Sequence, residues 1–315
     1  MRLRTEFVSP CPRVSACPEQ TTVRRRVSPR LVVQPHTLSL ISLCTAALLT
    51  IFLLPTTTHA APKADLWDLW EAHDPASSIS VDHRAWDALL AKYLVTTDPS
   101  GINLFRYGAV TTVDRIALEM YLKELQAIKV SELNRPEQMA YWINFYNALT
   151  ISTVLQHYPV RSIKDIDISP GLFANGPWDA KLVRIDGQKV SLNDIEHRIL
   201  RPIWRDPRIH YAVNCAAIGC PDLQDRAFVP ENTGQMLDEA AVRFINHPRG
   251  AGMDQKGRLV LSSIYKWFRE DFGDDLDEIL EHIREFASGE LKEKIPAGGK
   301  VRVKYRYDWS LNDTE

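Results

Sequence analysis

The stretch RPEQMAYWINFYNALTISTVLQHYP, Arg135–Pro159, decides the fold. A proline stands in its first turn and a second proline ends it, as helices often begin and end. At about 100° per residue, its apolar side chains cover the whole circumference of a helical wheel. The sequence therefore predicts a long helix that is buried on nearly every side.

Two amides of this helix, Asn144 and Asn147, lie on one face, about 60° apart on the wheel. A buried amide must find hydrogen-bond partners, because an unpaired one costs about 1–3 kcal/mol. Two interpretations are open. The amides bond the backbone of nearby loops, or they border a polar site.

The chain before this helix has a helical pattern from residue 65 to about residue 128. Apolar residues recur at helical spacing in DLWDLWEAHD, in DHRAWDALLAKYL and in VDRIALEMYLKEL, and Thr112 is a candidate cap for the last of these. These segments predict helices that pack on a shared core. They form no separate module.

The chain after the helix alternates between strand and helix patterns. KLVRIDGQKVSL predicts a hairpin with Asp186 and Gly187 in its turn, and SLNDIEHRILR predicts a short helix. DPRIHYAVNC predicts a central strand, PENTGQMLDEAAVRFINHP and LDEILEHIREFA predict helices, and RLVLS and KVRVKYRYDWSL predict strands. Because strands and helices do not repeat regularly, we expect an α+β fold, with a helical N-terminal part packed against a small, mostly antiparallel sheet in a single compact domain.

The first sixty residues are typical of an exported protein. A basic run, VRRRVSPR, precedes the apolar segment 38–54, and the small residues Thr58 and Ala60 follow it. We therefore expect cleavage after Ala60 and a periplasmic or secreted domain, with residues 61–130 as its helical part and 131–315 as its core. The alternative is an inner-membrane anchor formed by residues 38–54, which would be the protein's one membrane contact.

Net charge excludes one class of partner. Lys and Arg number 38 against 40 Asp and Glu, so no field favours nucleic acid. We expect a small-molecule or peptide substrate and no cofactor.

Only Cys215 and Cys220 remain once the leader is removed; they lie in AVNCAAIGCPDL, residues 212–223. Four interpretations are open: a disulfide, a metal pair, two inert thiols, or a reactive thiol. The two-residue spacing of zinc sites is absent, so we expect no metal. A reactive cysteine at a strand end, with loop amides from Ala216 to Gly219 stabilising an oxyanion, is the leading hypothesis. Cys215 is the better nucleophile candidate because it directly follows the predicted strand.

Glu196 and His197 are the candidate acid–base groups. On the predicted helix, Glu196 lies on the apolar face and His197 at its margin. A buried carboxylate needs a partner, such as an arginine, or has a role in a cleft. An imidazole close to a cysteine can take its proton, and His210 is the competing base.

Four motifs in order resemble the family catalogued as domain of unknown function 547, over about residues 135–312: YWINFYNAL, SLNDIEHRILR, RIHYAVNCAAIGCPDL and YDWSLN. The resemblance implies that one group of residues goes together: Trp142, Asn144, Tyr146, Asn147, Glu196, His197, His210 and Cys215. It implies no agreed activity. Plant relatives can have serine at the second cysteine, which implies that Cys220 is dispensable. The chain is also similar to papain-like and transglutaminase-like thiol enzymes, although here the histidine would come from a helix and the cysteine from a strand.

The leading functional hypothesis is an exported thiol hydrolase or acyltransferase that acts on an amide or ester of the cell envelope. Cys215 attacks the carbonyl, His197 acts as base and then acid, and Glu196 or Asn144 orients the imidazole. The supporting or substrate-binding residues are expected to be Asn144, Asn147, Tyr146, His210, Asn214 and Trp178. The rival is a noncatalytic binding module in which Asn144, Asn147, Trp178 and Trp309 line a groove and both cysteines are structural.

Overall fold

A computed structural model describes residues 61–171, 175–298 and 301–314. The predicted leader, signal segment and cleavage site lie outside the described residues. Within the described residues, no helix combines the length and the apolar character needed to cross a membrane.

Helices make up most of the regular structure, as the sequence predicts. The α-helices are α1 (Arg84–Tyr93), α2 (Thr112–Ala127), α3 (Arg135–His157), α4 (Arg201–Trp204), α5 (Ile209–Ala212), α6 (Pro230–Ile245), α7 (Ile264–Trp267), α8 (Arg269–Phe272), α9 (Leu276–Phe286) and α10 (Gly289–Lys294). A π-helix, Asp194–Leu200, leads directly into α4. Short 3-10 turns lie at Asp68–Glu71, Tyr107–Ala109, Val130–Glu132 and Ile163–Asp165.

The strands are short and mostly antiparallel. They are β1 (Leu94–Val95), β2 (Leu104–Phe105), β3 (Val183–Ile185), β4 (Gln188–Val190), β5 (Ala251–Met253), β6 (Leu259–Ser262) and β7 (Lys304–Arg306). β1 with β2 and β3 with β4 form antiparallel pairs, and a three-stranded sheet has the order β5-β6-β7, with β7 parallel to β6. The predicted α+β class is confirmed.

Helix α3 lies at the centre of the fold. Asn134 caps it by accepting a hydrogen bond from the amide of Glu137, and every side chain from Glu137 to Leu155 is buried. The prediction of a helix buried on nearly every side is therefore confirmed. Helices α2 and α6 and the π-helix pack against it.

Two hydrophobic clusters meet at the segment that carries the cysteines. One surrounds α3, and the other covers the three-stranded sheet with α6 and α9. The neighbouring residues Tyr211 and Ala212 belong to different clusters. The chain that leads to Cys215 is thus held from both sides.

The predicted central strand, DPRIHYAVNC, is wrong. Its first half forms the single helical turn α5. The backbone carbonyl of Asp206 accepts a hydrogen bond from the turn, and its carboxylate accepts one from the amide of Arg208. Asp and Pro at the start of a turn favour helical geometry. The chain becomes extended only from Val213.

Three smaller predictions need correction. DLWDLWEAHD forms only a 3-10 turn, because the amides of Asp65 and Trp67 donate to carbonyls at the end of the π-helix instead of building a helix of their own. The cap of α2 is Thr111, whose hydroxyl accepts from the amide of Asp114, and not Thr112. The final strand is limited to β7, since residues 310–312 bond the cysteine loop and its neighbours.

Candidate functional site

The asparagines of α3 clamp loop backbone. Asn147 donates to the carbonyl of Ala212 at 2.9 Å and accepts from the amide of Asn214 at 2.8 Å. Asn144 makes the same pair of bonds to the backbone of Phe228, at 2.7 and 3.0 Å. Of the two interpretations left open, the backbone one is confirmed. Asn147 thereby fixes the chain immediately before Cys215.

The loop between the two cysteines is also tied down from within. Asn214 donates to the carbonyl of Pro221 at 2.7 Å and accepts from the amide of Ala216 at 2.8 Å. Ala216 has a φ of 59°, a left-handed conformation that non-glycine residues adopt at a cost. A side chain at Gly219 would meet the backbone of Asp308 at under 3 Å. The loop therefore closes tightly enough to bring its two ends together.

Cys215 and Cys220 are free thiols whose sulfur atoms are 2.6 Å apart. The amide of Cys215 donates to the Cys220 sulfur at 2.9 Å, and the Tyr307 hydroxyl lies 3.0 Å from the Cys215 sulfur. Cys215 is half-buried, whereas Cys220 is buried. The pair therefore combines a half-buried cysteine with a buried one.

The two thiols share a proton unequally. The hydrogen bond to Cys220, together with burial, raises the pKa of Cys215 well above its ordinary value. Burial alone would raise the pKa of Cys220, but bonds from the Cys215 thiol, the Tyr307 hydroxyl and the Cys215 amide lower it overall. The pair therefore loses its first proton at a lower pH than an isolated buried thiol would.

Half-buried aromatic rings form a surface beside Tyr307, which we call the aromatic patch; its members are Trp178, Trp267, Tyr307 and Trp309. The ring centroids of Tyr307 lie 4.7 Å from Trp267 and 4.6 Å from Trp309, and Trp178 follows at 5.7 Å from Trp309. The ammonium of Lys164 lies 5.1 Å from the centre of Trp309. Since Tyr307 also contacts the Cys215 sulfur, the aromatic patch is continuous with the thiol pair.

A group of mostly buried charged and polar side chains lies near enough to the cysteines to affect them through its charge. It is centred on Glu196, and we call it the acid–imidazole cluster; its members are Glu196, His197, Arg201, His210 and Asp271. An oxygen of Glu196 lies 3.8 Å from Nδ1 of His197 and 3.7 Å from Nδ1 of His210. His197 and Glu196 are consecutive residues, and both are buried in the π-helix. π-Helical turns occur often at functional sites.

Arg201 holds this cluster together. Its side chain is only 2% exposed and forms ion pairs with Glu270 and Asp271. It also donates to Nδ1 of His197 at 3.0 Å and to the carbonyl of Pro62 at 2.8 Å. Among the described residues, Glu196 itself lies next to the two histidines and the Tyr146 hydroxyl, and not next to an arginine, which was one of the two interpretations of its buried carboxylate.

The pKa values within the acid–imidazole cluster follow from burial and from these contacts. Burial lowers the pKa of His197 to about 4. The charge of Glu196 opposes this shift, and the charge of Arg201 adds to it. The pKa of Asp271 falls to about 2, because hydrogen bonds from His210 and Arg201 outweigh its burial. Burial, then the charges of Glu196 and the two cysteines, raise the pKa of Tyr146 well above normal.

Buried histidines should make the fold sensitive to acid. Burial lowers the pKa values of His83, His197 and His282 to about 4, whereas an unfolded histidine titrates near ~6.5. Between these values the unfolded chain binds more protons than the folded one, so the free energy of unfolding rises with pH. Lowering the pH to about 5 should therefore remove on the order of 1–2 kcal/mol per histidine, measured by urea unfolding.

A matched pair of variants checks this pH dependence. His282→Gln should flatten the plot of unfolding free energy against pH, whereas substitution of the exposed His73 by Gln should leave it unchanged. Equal slopes in wild type and His282→Gln would contradict the assignment.

The structure brings some predicted site residues together and separates others. Tyr146, Glu196 and the two cysteines interact through charge, and Glu196, His197 and His210 are neighbours. Among the described residues, the Cys215 sulfur has no hydrogen bond to an imidazole; its bonds go to Cys220 and Tyr307. The amides of Ala216, Ile218 and Gly219, expected to stabilise an oxyanion, already donate within the protein. In the described ranges no three His, Cys, Asp or Glu side chains are placed to hold a metal ion.

Comparison with known proteins identifies one family. Residues 130–245 match the family model described as "Protein of unknown function, DUF547". The resemblance predicted from the four motifs is thus confirmed over α3, the π-helix, the cysteine loop and α6. No curated protein and no solved structure matches the chain. The similarity to papain-like and transglutaminase-like enzymes gains no support from these comparisons.

Proposed function

We propose that this chain, with its DUF547 region at residues 130–245, performs thiol–disulfide exchange through Cys215 and Cys220. The observation that carries the proposal is the 2.6 Å separation of the two sulfur atoms. A disulfide joins its sulfurs at about 2.05 Å, so a movement of roughly half an ångström would close the bond. Cys215, the more exposed of the two, and the buried Cys220 then have different roles.

The reaction follows from that difference in exposure. Cys215 attacks a substrate disulfide while its proton passes to the Cys220 thiolate; the substrate S–S bond breaks, the leaving thiolate takes a proton from water, and a mixed disulfide remains on Cys215. Cys220 then loses its proton to water, attacks the Cys215 sulfur and releases the second substrate thiolate, which takes up a proton. Two protein thiols are oxidised to one disulfide, and one substrate disulfide is reduced to two thiols. The reverse sequence gives a disulfide to a substrate dithiol.

We place this reaction in an oxidising compartment outside the cytoplasm. Disulfides form and persist in oxidising compartments such as the periplasm. The leader that the sequence predicts for residues 1–60 would deliver the domain to such a compartment. There, disulfide-bonded or reduced polypeptides of the cell envelope are the available substrates.

The aromatic patch is the proposed docking surface for such polypeptides. Aromatic rings provide large contact areas for apolar side chains. One of the rings of this surface, Tyr307, contacts the Cys215 sulfur. We expect Trp309→Ala to raise KM for a polypeptide disulfide about fivefold or more, while the rate with oxidised glutathione, which needs no such surface, stays the same. Trp204→Ala removes a half-buried ring that contacts Arg135 and serves as the control. Equal losses with both substrates would contradict this role.

The contacts favour exchange over the hydrolysis or acyl transfer predicted from the sequence. A thiol hydrolase needs a base at its sulfur and unoccupied amides for the oxyanion. The sulfur of Cys215 bonds Cys220 and Tyr307, His197 accepts a bond from Arg201, and amides of the loop are occupied. The proposal concerns this chain, which has both sulfurs, and not relatives with serine at the second position.

Incubation of the reduced protein with oxidised glutathione, followed by alkylation and mass spectrometry, tests the proposal. The wild type should lose both reactive thiols and retain no glutathione, because Cys220 expels it. Cys220→Ser should retain one glutathione on Cys215. Stable glutathione on Cys215 of the wild type would favour a lone nucleophile, and two thiols that never react would favour the noncatalytic module.

A further inference from the structure

Tyr307 belongs to a segment that the cysteine loop holds by its backbone. The amide of Gly219 donates to the carbonyl of Asp308, and the amide of Ile218 donates to the carbonyl of Ser310, both at 2.8 Å. On its other side, Tyr307 directly follows β7. The loop that carries both sulfurs therefore also fixes the position of this tyrosine.

The loop and the tyrosine approach each other closely. A Cβ atom at Gly219 would lie 2.7 Å from the amide nitrogen of Asp308 and 3.0 Å from Cδ1 of Tyr307. Glycine allows an approach of this kind because it has no side chain. The contact between Tyr307 and the thiol pair is thus built into the packing of the two segments.

The hydrogen bonds of the thiol pair form a chain. The Tyr307 oxygen lies 3.0 Å from the Cys215 sulfur, that sulfur lies 2.6 Å from the Cys220 sulfur, and the Cys215 amide donates to the Cys220 sulfur at 2.9 Å. The pKa of Cys215 is raised and that of Cys220 is lowered, so the Cys215 thiol donates to Cys220. The bond between Tyr307 and Cys215 is then left for the hydroxyl to donate.

The Tyr307 hydroxyl is suited to that donation. Burial, and then the charges of the two thiols, raise the pKa of Tyr307 well above its ordinary value, so it keeps its proton at neutral pH. A tyrosine hydroxyl is also a better donor than a thiol, whose S–H is weak. Of the two hydrogen-bond partners recorded for the Cys215 sulfur in the described part of the chain, Tyr307 is therefore the stronger donor.

Negative charge develops on the Cys215 sulfur during exchange. As Cys215 attacks a substrate disulfide, its own proton passes to Cys220. A donor that already points at the sulfur stabilises this charge without having to reorganise. Tyr307 is placed to be that donor.

We propose that Tyr307 is a catalytic residue of the exchange reaction, whose hydroxyl donates to the Cys215 sulfur while that sulfur carries negative charge. This inference rests on the proposed function. In the first step the Cys215 proton passes to Cys220, the Cys215 sulfur bonds to one substrate sulfur, the substrate S–S bond breaks, and the leaving thiolate takes a proton from water. Tyr307 keeps its own proton throughout. In the reverse direction, the same hydrogen bond stabilises Cys215 as the thiolate that leaves a mixed disulfide.

A hydrogen bond to a thiolate has two opposing effects on the rate of attack. It increases the fraction of thiolate, and it lowers the nucleophilicity of that thiolate. The second effect is smaller, because a tenfold gain in thiolate costs only about threefold in nucleophilicity. Loss of the hydroxyl should therefore slow attack by Cys215 about threefold to tenfold.

Tyr307→Phe tests the inference, because it removes the hydroxyl and keeps the ring that contacts Trp267 and Trp309. The reduced protein is alkylated with iodoacetamide at neutral pH, and the rate at Cys215 is followed by mass spectrometry. That rate should fall about threefold to tenfold, and the rate of mixed-disulfide formation with oxidised glutathione should fall by a similar factor. Tyr305→Phe removes the hydroxyl of a half-buried tyrosine in β7 and should change neither rate.

The outcomes separate this inference from the proposed function. Alkylation of Cys215 in Tyr307→Phe at the wild-type rate, or faster because the sulfur is more exposed, would overturn the role of Tyr307 while leaving exchange intact. An equal loss in Tyr305→Phe would assign the effect to packing around β7 and would overturn it too. A wild type that forms no internal disulfide in oxidised glutathione would overturn both the exchange and this role.

Discussion

Replacement of Arg201 by methionine is expected to lower the free energy of unfolding by about 3–5 kcal/mol. The guanidinium is almost fully buried and pairs with Glu270, Asp271, the ring of His197 and the carbonyl of Pro62. Methionine keeps much of the volume but leaves the Asp271 carboxylate without its cation. Removal of one member of a buried pair costs more than the pair itself contributes, because the other charge stays buried. Urea unfolding at neutral pH measures the difference.

Arg208→Met is the matched control. Arg208 also forms ion pairs with two carboxylates, those of Asp206 and Asp238, but it is more exposed. Solvent-exposed pairs contribute about 0–1 kcal/mol, so this variant should lose no more than that. Equal losses in Arg201→Met and Arg208→Met would show that the acid–imidazole cluster does not depend on a buried cation.

Replacement of Cys215 by serine is expected to abolish thiol–disulfide exchange. Cys215 is the more exposed member of the pair, and a serine hydroxyl cannot form a disulfide. The remaining Cys220 is buried, so it should also react slowly with alkylating reagents. The rate of reduction of an aromatic disulfide, followed by absorbance, measures the loss against wild type.

Cys220→Ser provides the contrast. It keeps the more exposed cysteine, so it should form a mixed disulfide but release it slowly. If Cys215→Ser kept wild-type activity, or if the two variants behaved identically, the assignment of different roles to the two sulfurs would be wrong.

The features that local sequence patterns control were predictable. The apolar circumference of Arg135–Pro159 required a buried helix, and the hairpin turn at Asp186 and Gly187 has positive φ at both residues, as its sequence implies. Two amides on a buried face had to bond something. Their actual partners, Phe228 and the Ala212–Asn214 backbone, could not be inferred, because they lie far along the chain.

The errors arose where tertiary contacts override local pattern. DPRIHYAVNC has a strand-like apolar run, yet Asp206 and Pro207 start a helical turn between two cores. DLWDLWEAHD has helical spacing, yet its amides bond the end of the π-helix. Periodicity reports which side chains are buried and says nothing about competing backbone partners.

Only some residues of the site were recognisable from the sequence, because tertiary contacts bring the others together. Cys215, Cys220 and Glu196 were recognisable because each is a reactive group in an apolar setting. Tyr307, Arg201 and Asp271 were missed: an aromatic residue in a strand pattern and charged residues in helical patterns look ordinary until folding brings them together. Alternation along KVRVKYRYDWSL groups Tyr307 with Val301, Val303 and Tyr305 on one face, and that was the available signal.

A redox titration of the Cys215–Cys220 pair tests thiol–disulfide exchange in this protein most directly. The protein is equilibrated in glutathione buffers of graded potential, quenched in acid, alkylated and mapped by mass spectrometry. We expect one two-electron transition from a dithiol to an internal Cys215–Cys220 disulfide. Two separate glutathione adducts, or two free thiols in the most oxidising buffer, would contradict it.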